Sequence, residues 1–317
     1  MPKFKEDIPE GFTTPTALPK TPEQVRQWQE AIRTWWEQHP MRYDWQTAVG
    51  YQPFSPDFYA EIDRRFFAAA REFLPDENLP FDSLIDFTSL RDKDVLEIGV
   101  GNGSHAQLLA GHARSFTGID LTDYAVRSTS ERLRRSGLPG AVRRMDAEAM
   151  EFADNSFDFI WSWGVIDHSA DTRRVLQEMR RVLRPGGHAV TMVFHRNGWN
   201  YYIVGGLFYG VLRGDLFKTW SLHKTVQRYT DGALARIYSV PEWEALVSEF
   251  LVVERIQVFG PKTDIIPLPG GMLRATIRRL IPDRLGRFFT VRCRLGSLLV
   301  SSMRKPQGEA VVNQALR

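Results

Sequence analysis

The side chains best placed for chemistry fall just after short apolar runs. Asp94-Val95-Leu96-Glu97-Ile98 leads into Gly99-Val100-Gly101-Asn102-Gly103, and glycines in such a turn let the backbone take positive φ and approach a ligand closely. Asp120 closes the run Phe116-Thr117-Gly118-Ile119, Asp146 follows a weaker third run, and Asp167-His168 follow a fourth that begins at Phe157. His195 ends a fifth. Carboxylates in these places can accept hydrogen bonds from the hydroxyl or amino groups of a bound molecule, and a histidine there can exchange a proton near neutral pH. A dinucleotide-binding turn has the spacing G-x-G-x-x-G, with the pyrophosphate resting on the next helix. Here the third glycine comes two residues after the second, and Ser104 stands three after. That spacing fits a dinucleotide poorly.

Positioning these groups requires strands alternating with helices. From about residue 92 the sequence repeats strand, turn, helix: strands over 94–98, 116–119, 141–145, 157–161 and 188–194, and helices over 122–136 and 171–183, the second with Val175, Leu176, Met179, Val182 and Leu183 on one face. Pro185-Gly186-Gly187 breaks that helix. A helix over 241–250 and strands over 251–258 and 290–303 complete the pattern. This order predicts an α/β fold with a doubly wound, seven-stranded, mostly parallel sheet and right-handed crossovers. Residues 91–305 form that domain, with insertions at 196–239 and 260–288. Residues 1–90 form an N-terminal arm and helical cap. Its first twenty residues read as a loose arm, Thr21-Pro22-Glu23-Gln24 as a capped helix start, and Ser55-Pro56-Asp57 as a second one with a stripe through Phe58, Ile62, Phe66, Phe67 and Phe73. Residues 306–317 form a tail.

At this point the chain resembles the class I S-adenosylmethionine-dependent methyltransferases, especially the branch related to ubiquinone and menaquinone C-methyltransferases. The resemblance is carried by Glu97-Ile98-Gly99-Val100-Gly101-Asn102-Gly103, Asp120, Met145-Asp146-Ala147-Glu148 and Arg181-Val182-Leu183-Arg184-Pro185-Gly186-Gly187. It covers residues 92–194 well and fades towards residue 303. It implies a Rossmann-like methyltransferase fold with S-adenosyl-L-methionine as cofactor. Gly99, Gly101 and Gly103 would face the cofactor's amino-acid part, with Glu97 beneath them. Asp120, beside Leu121, would accept both ribose hydroxyls; Asp146 would accept from the adenine amino group, next to the backbone of Ala147. Trp163 would border the same site. Relatives often carry paired histidines after the fourth strand; this chain has Asp167 in the first place, a departure that leaves histidine chemistry open.

Methyl transfer is an in-line displacement in which the protein holds the nucleophile about 3 Å from the methyl group. A base helps when the nucleophile is a neutral hydroxyl or an activated carbon acid. His168 is the leading base, or else a core histidine. Asp167 either orients it, touches the acceptor, or starts a helix. His195 is a third candidate, on the ligand side of the sheet. Trp161, Trp163, Trp199, Tyr201 and Tyr202 can wall an aromatic or lipophilic acceptor, and the aromatic stretch from Trp35 to Trp45 can close over the cofactor. No metal site is expected.

Composition narrows the classes. The chain has 317 residues, 43% apolar and 25% charged, a net charge of +3 and one cysteine, Cys293. One thiol makes neither an internal disulfide nor a zinc site. No run approaches a membrane span, and the N-terminus lacks the apolar core of a secretory signal, so a cytoplasmic enzyme is expected. Its arginines are spread along helices, not in a dense basic run, and Ser162-Trp163-Gly164 replaces the N/D/S-P-P-Y/F/W motif of base-modifying enzymes. A small, partly hydrophobic acceptor methylated at oxygen or carbon follows, with an RNA methyltransferase, a nicotinamide-dinucleotide oxidoreductase and a non-catalytic cofactor-binding scaffold as competing readings. Nucleic-acid partners are not expected; a monomer or homodimer is, and residues 274–289 can touch a membrane surface as a basic amphipathic segment.

Overall fold

The computed structural model describes residues 4–43 and 47–308. The expected aromatic cover at Asp44 and Trp45 and the tail from 309 onward lie outside them. Among the described residues the strands are β1 (Asp94–Ile98), β2 (Ser115–Asp120), β3 (Ala141–Arg144), β4 (Phe157–Trp163), β5 (Leu183–His195), β6 (Ile237–Tyr238), β7 (Val252–Phe259) and β8 (Leu298–Arg304). They form one sheet in the order β3-β2-β1-β4-β5-β8-β7, with β6 paired to the end of β5. β1 to β5 run parallel; β8 is antiparallel to both β5 and β7. The chain winds outward from β1 to β3, then returns to β4 and winds the other way. The loops after β1 and β4 therefore part from each other, and a crevice opens at the carboxyl ends of the strands.

The helices are α1 (Pro22–Gln38), α2 (Pro56–Arg71), α3 (Ser104–Ala110), α4 (Asp123–Arg135), α5 (Thr172–Val182), α6 (Leu216–Thr219), α7 (Leu222–Gln227), α8 (Val240–Ser248), α9 (Met272–Leu280) and α10 (Asp283–Arg287), with a wider helix over Gly198–Leu212. Short apolar strands buried on both faces need a helical layer on each side. One face carries α5 and α8, whose Val175, Leu176, Met179, Trp243 and Val247 pack on Leu96, Ile98, Val193 and Leu299. The other carries α2, α3 and α4, with Phe66, Ala106, Leu109 and Leu133 against Val95, Phe116, Trp161 and Val190. The expected caps form: Thr21 Oγ1 accepts from Gln24 N at 3.2 Å, and Ser55 Oγ from Phe58 N at 3.2 Å.

Two expectations change. The last strand begins at Leu298, not near 290, because residues 288–292 complete a helical turn. Gly296 explains the boundary: a Cβ there would lie 1.9 Å from the Phe259 carbonyl oxygen, so the chain passes flat against the end of β7 before it can pair. The N-terminal arm is also not loose. Phe12 is fully buried, its ring edge on Trp28 at 4.9 Å and its face under the guanidinium of Arg236 at 3.6 Å. Arg236 itself donates to the carbonyls of Pro15, Ala17 and Ala170 at 2.8, 2.6 and 2.6 Å. The arm thus clamps α1 to the loop after β4. Phe12→Ala should cost about 3 kcal/mol and lower the melting temperature by roughly 5–10 °C, with faster tryptic cleavage near Lys20. An unchanged melting curve would show that the arm holds nothing.

Candidate functional site

A cavity of about 760 Å³ opens at the carboxyl ends of β1, β2, β4 and β5, under α1 and α2 and beside residues 261–278. Sites for small ligands span roughly 300–1,000 Å³, and this cavity falls within that range. The loops after β1, β2 and β3 line one half; Met192, Phe194, Thr263 and Leu298 line the other, with the loop after β4 between them.

The glycine turn builds the first half. Gly101 has φ +52°, and space is open where a Cβ would project. Gly99 has φ +81°, and a Cβ there would meet Val165 at 2.2 Å, so the loop after β4 can lie against it. Gly103 departs from expectation: it is buried against Thr129 and Arg132 of α4 and does not border the cavity. It serves helix packing. Asn102, passed over in the sequence, fixes the turn from outside. Its amide donates to the Met41 carbonyl at 2.7 Å, and its oxygen accepts from Tyr124 Oη and Ser128 Oγ at 3.1 and 2.9 Å.

Asp120 borders the cavity at the end of β2. Its Oδ2 accepts from Gly101 N at 3.2 Å, and Oδ1 from Thr122 N and Oγ1 at 3.0 and 2.8 Å. Burial raises its pKa against the pull of these donors. Thr122, not Asp120, caps α4. Asp146, Leu121 and Ala147 also border the cavity. Asp146 Oδ1 accepts from Glu148 N at 2.8 Å and from Gln29 Nε2 of α1 at 3.4 Å, and burial raises its pKa too. Gln29 is half-buried on a helix seventeen residues long, with no sequence signal to single it out. Glu97 lies beneath the turn, buried and outside the lining, its Oε1 3.8 Å from His105 Nδ1 and its Oε2 without a hydrogen-bond partner among the described residues. Burial, then the nearby Asp120, holds it well above the usual carboxylate range.

The loop after β4 places His168 on the cavity, between the rings of Trp36 at 5.1 Å and Phe194 at 5.5 Å. Its Nδ1 lies 2.7 Å from the Leu234 carbonyl. A carbonyl only accepts, so Nδ1 carries a hydrogen, and the neutral ring has its lone pair on Nε2. Trp163 borders the same cavity, stacked on Trp161 at 5.4 Å. Asp167 and His195 do not reach it. Asp167 is fully buried, accepting from Phe194 N at 3.3 Å, and His168 takes its orientation from Leu234 instead. His195 turns away to bond the Gly296 carbonyl at 2.7 Å, and burial lowers its pKa. The expected aromatic wall also fails in part: Trp199 and Tyr202 are exposed, and Tyr201 is buried against His223.

Glu148, given no role from the sequence, borders the cavity beside Asp146. One carboxylate oxygen accepts from Asp171 N at 2.9 Å and the other has no hydrogen-bond partner among the described residues. Burial raises its pKa to about 7. A carboxyl with a raised folded-state pKa binds more protons folded than unfolded, so stability falls as pH climbs between its unfolded value and 7. Glu148→Gln should flatten this decline in a melting series from pH 5 to 8; an identical slope would remove Glu148 as its source.

A family described as a methyltransferase domain matches residues 96–191. The phthiotriol/phenolphthiotriol dimycocerosates methyltransferase of Mycobacterium tuberculosis is 39% identical over 31% of this chain and 37% of its own length, so the match spans little more than a third of that relative. The ubiquinone biosynthesis O-methyltransferase of Ralstonia nicotianae is 25% identical over 50% of this chain and 68% of its own. Among solved structures, geranyl diphosphate C-methyltransferase from Streptomyces coelicolor superposes with a TM-score of 0.52 at 15% identity, covering 91% of this chain and all of that one. The cyclase SpnF superposes at 0.50 with 15% identity, covering 93% of this chain and all of that one, so the fold alone leaves the reaction open. Residues 96–191 thus resemble a methyltransferase domain, and the relatives similar to this chain over part of its length are named for methyl transfer.

Proposed function

We propose that this chain moves a methyl group from S-adenosylmethionine to an oxygen or carbon of a small, partly hydrophobic acceptor. The reading rests on one observation: Gly101, Asp120 and Asp146 border the same cavity as His168 and the apolar side chains Met192 and Phe194. The residues present fit the cofactor. Gly101 leaves open the space a side chain would fill, and Asp120 and Asp146, carboxylates suited to accept from hydroxyl and amino groups, border the same cavity. Asp120 would hold the ribose, Asp146 and the Ala147 backbone the adenine, and the Gly99–Gly101 turn the amino-acid part. When bound, the cofactor supplies an electrophilic methyl group on a sulfonium.

The chain's own residues do the rest. Met192, Phe194 and Trp163 give the acceptor half an apolar wall, which orients a lipophilic molecule and strengthens charge interactions inside. His168 Nε2 takes a proton from the acceptor, its tautomer held by Leu234. The relatives named for phthiotriol dimycocerosates and ubiquinone biosynthesis support such an acceptor.

Titration calorimetry tests this. The chain should bind S-adenosylmethionine, and Asp120→Ala should weaken binding by about 1–3 kcal/mol. His168→Gln should keep that affinity but lose labelled methyl transfer into an organic cell extract. Binding of NAD in place of S-adenosylmethionine would overturn the reading, and full transfer by His168→Gln at every pH would remove the base.

A further inference from the structure

The wall between the cavity and the outside is α9. Arg274, Ala275 and Arg278 face the cavity. The opposite side is bare: Met272, Leu273 and Leu280 are 89%, 65% and 77% exposed. The same character continues past Pro282, where Leu285, Phe288 and Phe289 stand open around α10. Neither helix is left hanging. Arg274 donates to Asn200 Oδ1 and the Thr263 carbonyl at 3.0 and 2.8 Å, Arg278 pairs with Glu72 just past α2, and Lys262 holds Asp283 at 2.7 Å. A fixed ridge thus carries apolar side chains outward, contrary to the usual scatter of single exposed ones.

Its charge is equally lopsided. Residues 272–294 hold seven arginines and one aspartate, a net +6 in a chain whose total is +3, so the remainder is net −3. Arg279, Arg284, Arg292 and Arg294 are exposed and form no ion pair among the described residues. A second copy of this surface would meet its own positive charge, and a nucleic acid would leave the apolar ridge unused. A bilayer with anionic headgroups satisfies both features, since interfacial segments bury apolar side chains at the acyl boundary while arginines meet the phosphates. No helix among the described residues is long and apolar enough to cross a membrane; this contact is one of lying on the surface.

We infer that the outer face of α9 and α10 docks this protein on an anionic lipid surface, with the cavity directly behind the docked helix. That the acceptor then arrives from the lipid rests on the proposed methyl transfer; the docking does not. Vesicle flotation with the full chain separates the two. The chain should float with vesicles of phosphatidylcholine and phosphatidylglycerol in equal parts, not with phosphatidylcholine alone, and lose binding in high salt. Arg279→Gln and Arg284→Gln should each lower partition about fivefold, and Leu273→Glu with Phe288→Glu at least about tenfold, with melting temperature and S-adenosylmethionine affinity unchanged. No flotation, equal flotation with both vesicles, variants that float like the parent, or binding to an RNA duplex without binding to vesicles would each overturn the docking surface. Docking without cofactor binding would leave it standing and sink the proposed reaction instead.

Discussion

The N–H of Gly101, donated to the carboxylate of Asp120, is the contact on which the site depends. It ties the turn after β1 to the end of β2 and so fixes one wall of the cavity. A carboxylate at that depth is costly to bury, and three donors from Gly101 and Thr122 offset the cost. The positive φ of Gly101 aims its N–H at the carboxylate while leaving the other side of the turn free of side chain. A substitution in either residue would disturb both the turn and what it can hold.

The second wall is set from a distance. His168 owes its tautomer to a carbonyl in the insertion after β5, and its edge contact to Trp36 of α1. Those two elements are joined by the arm, through Phe12, Arg236 and Ala170. On the other side Asp63 of α2 accepts from Ser104 Oγ at 2.7 Å and pairs with Arg132 of α4. The cap is therefore part of the site's construction and not a cover laid over it.

How much of this could be read from the sequence follows from which interactions are local. The strand-turn-helix rhythm, the caps at Thr21 and Ser55, and the turn glycines are local signals, and the sheet followed from them. Asp120 and Asp146 were legible because strand ends in such a sheet all point to one edge. The direction of a side chain was not. Asp167 and His195 sit at the right edge, yet the Phe194 amide and the Gly296 carbonyl turn each away, and the backbone of Gly103 packs against α4. Gln29, Asn102 and Glu148 join the site through partners far along the chain or through burial, neither of which leaves a pattern in one sequence. The arm looked loose because its apolar anchor is a single phenylalanine whose partner lies more than two hundred residues later.

The most direct measurement is a crystal structure of the complex with S-adenosylhomocysteine. The ribose hydroxyls should lie within hydrogen-bond reach of Asp120, the adenine edge at Asp146 and Ala147, and the amino-acid part along Gly99 and Gly101. A nucleoside bound elsewhere, or a turn that closes on itself with no ligand against Gly101, would contradict this placement.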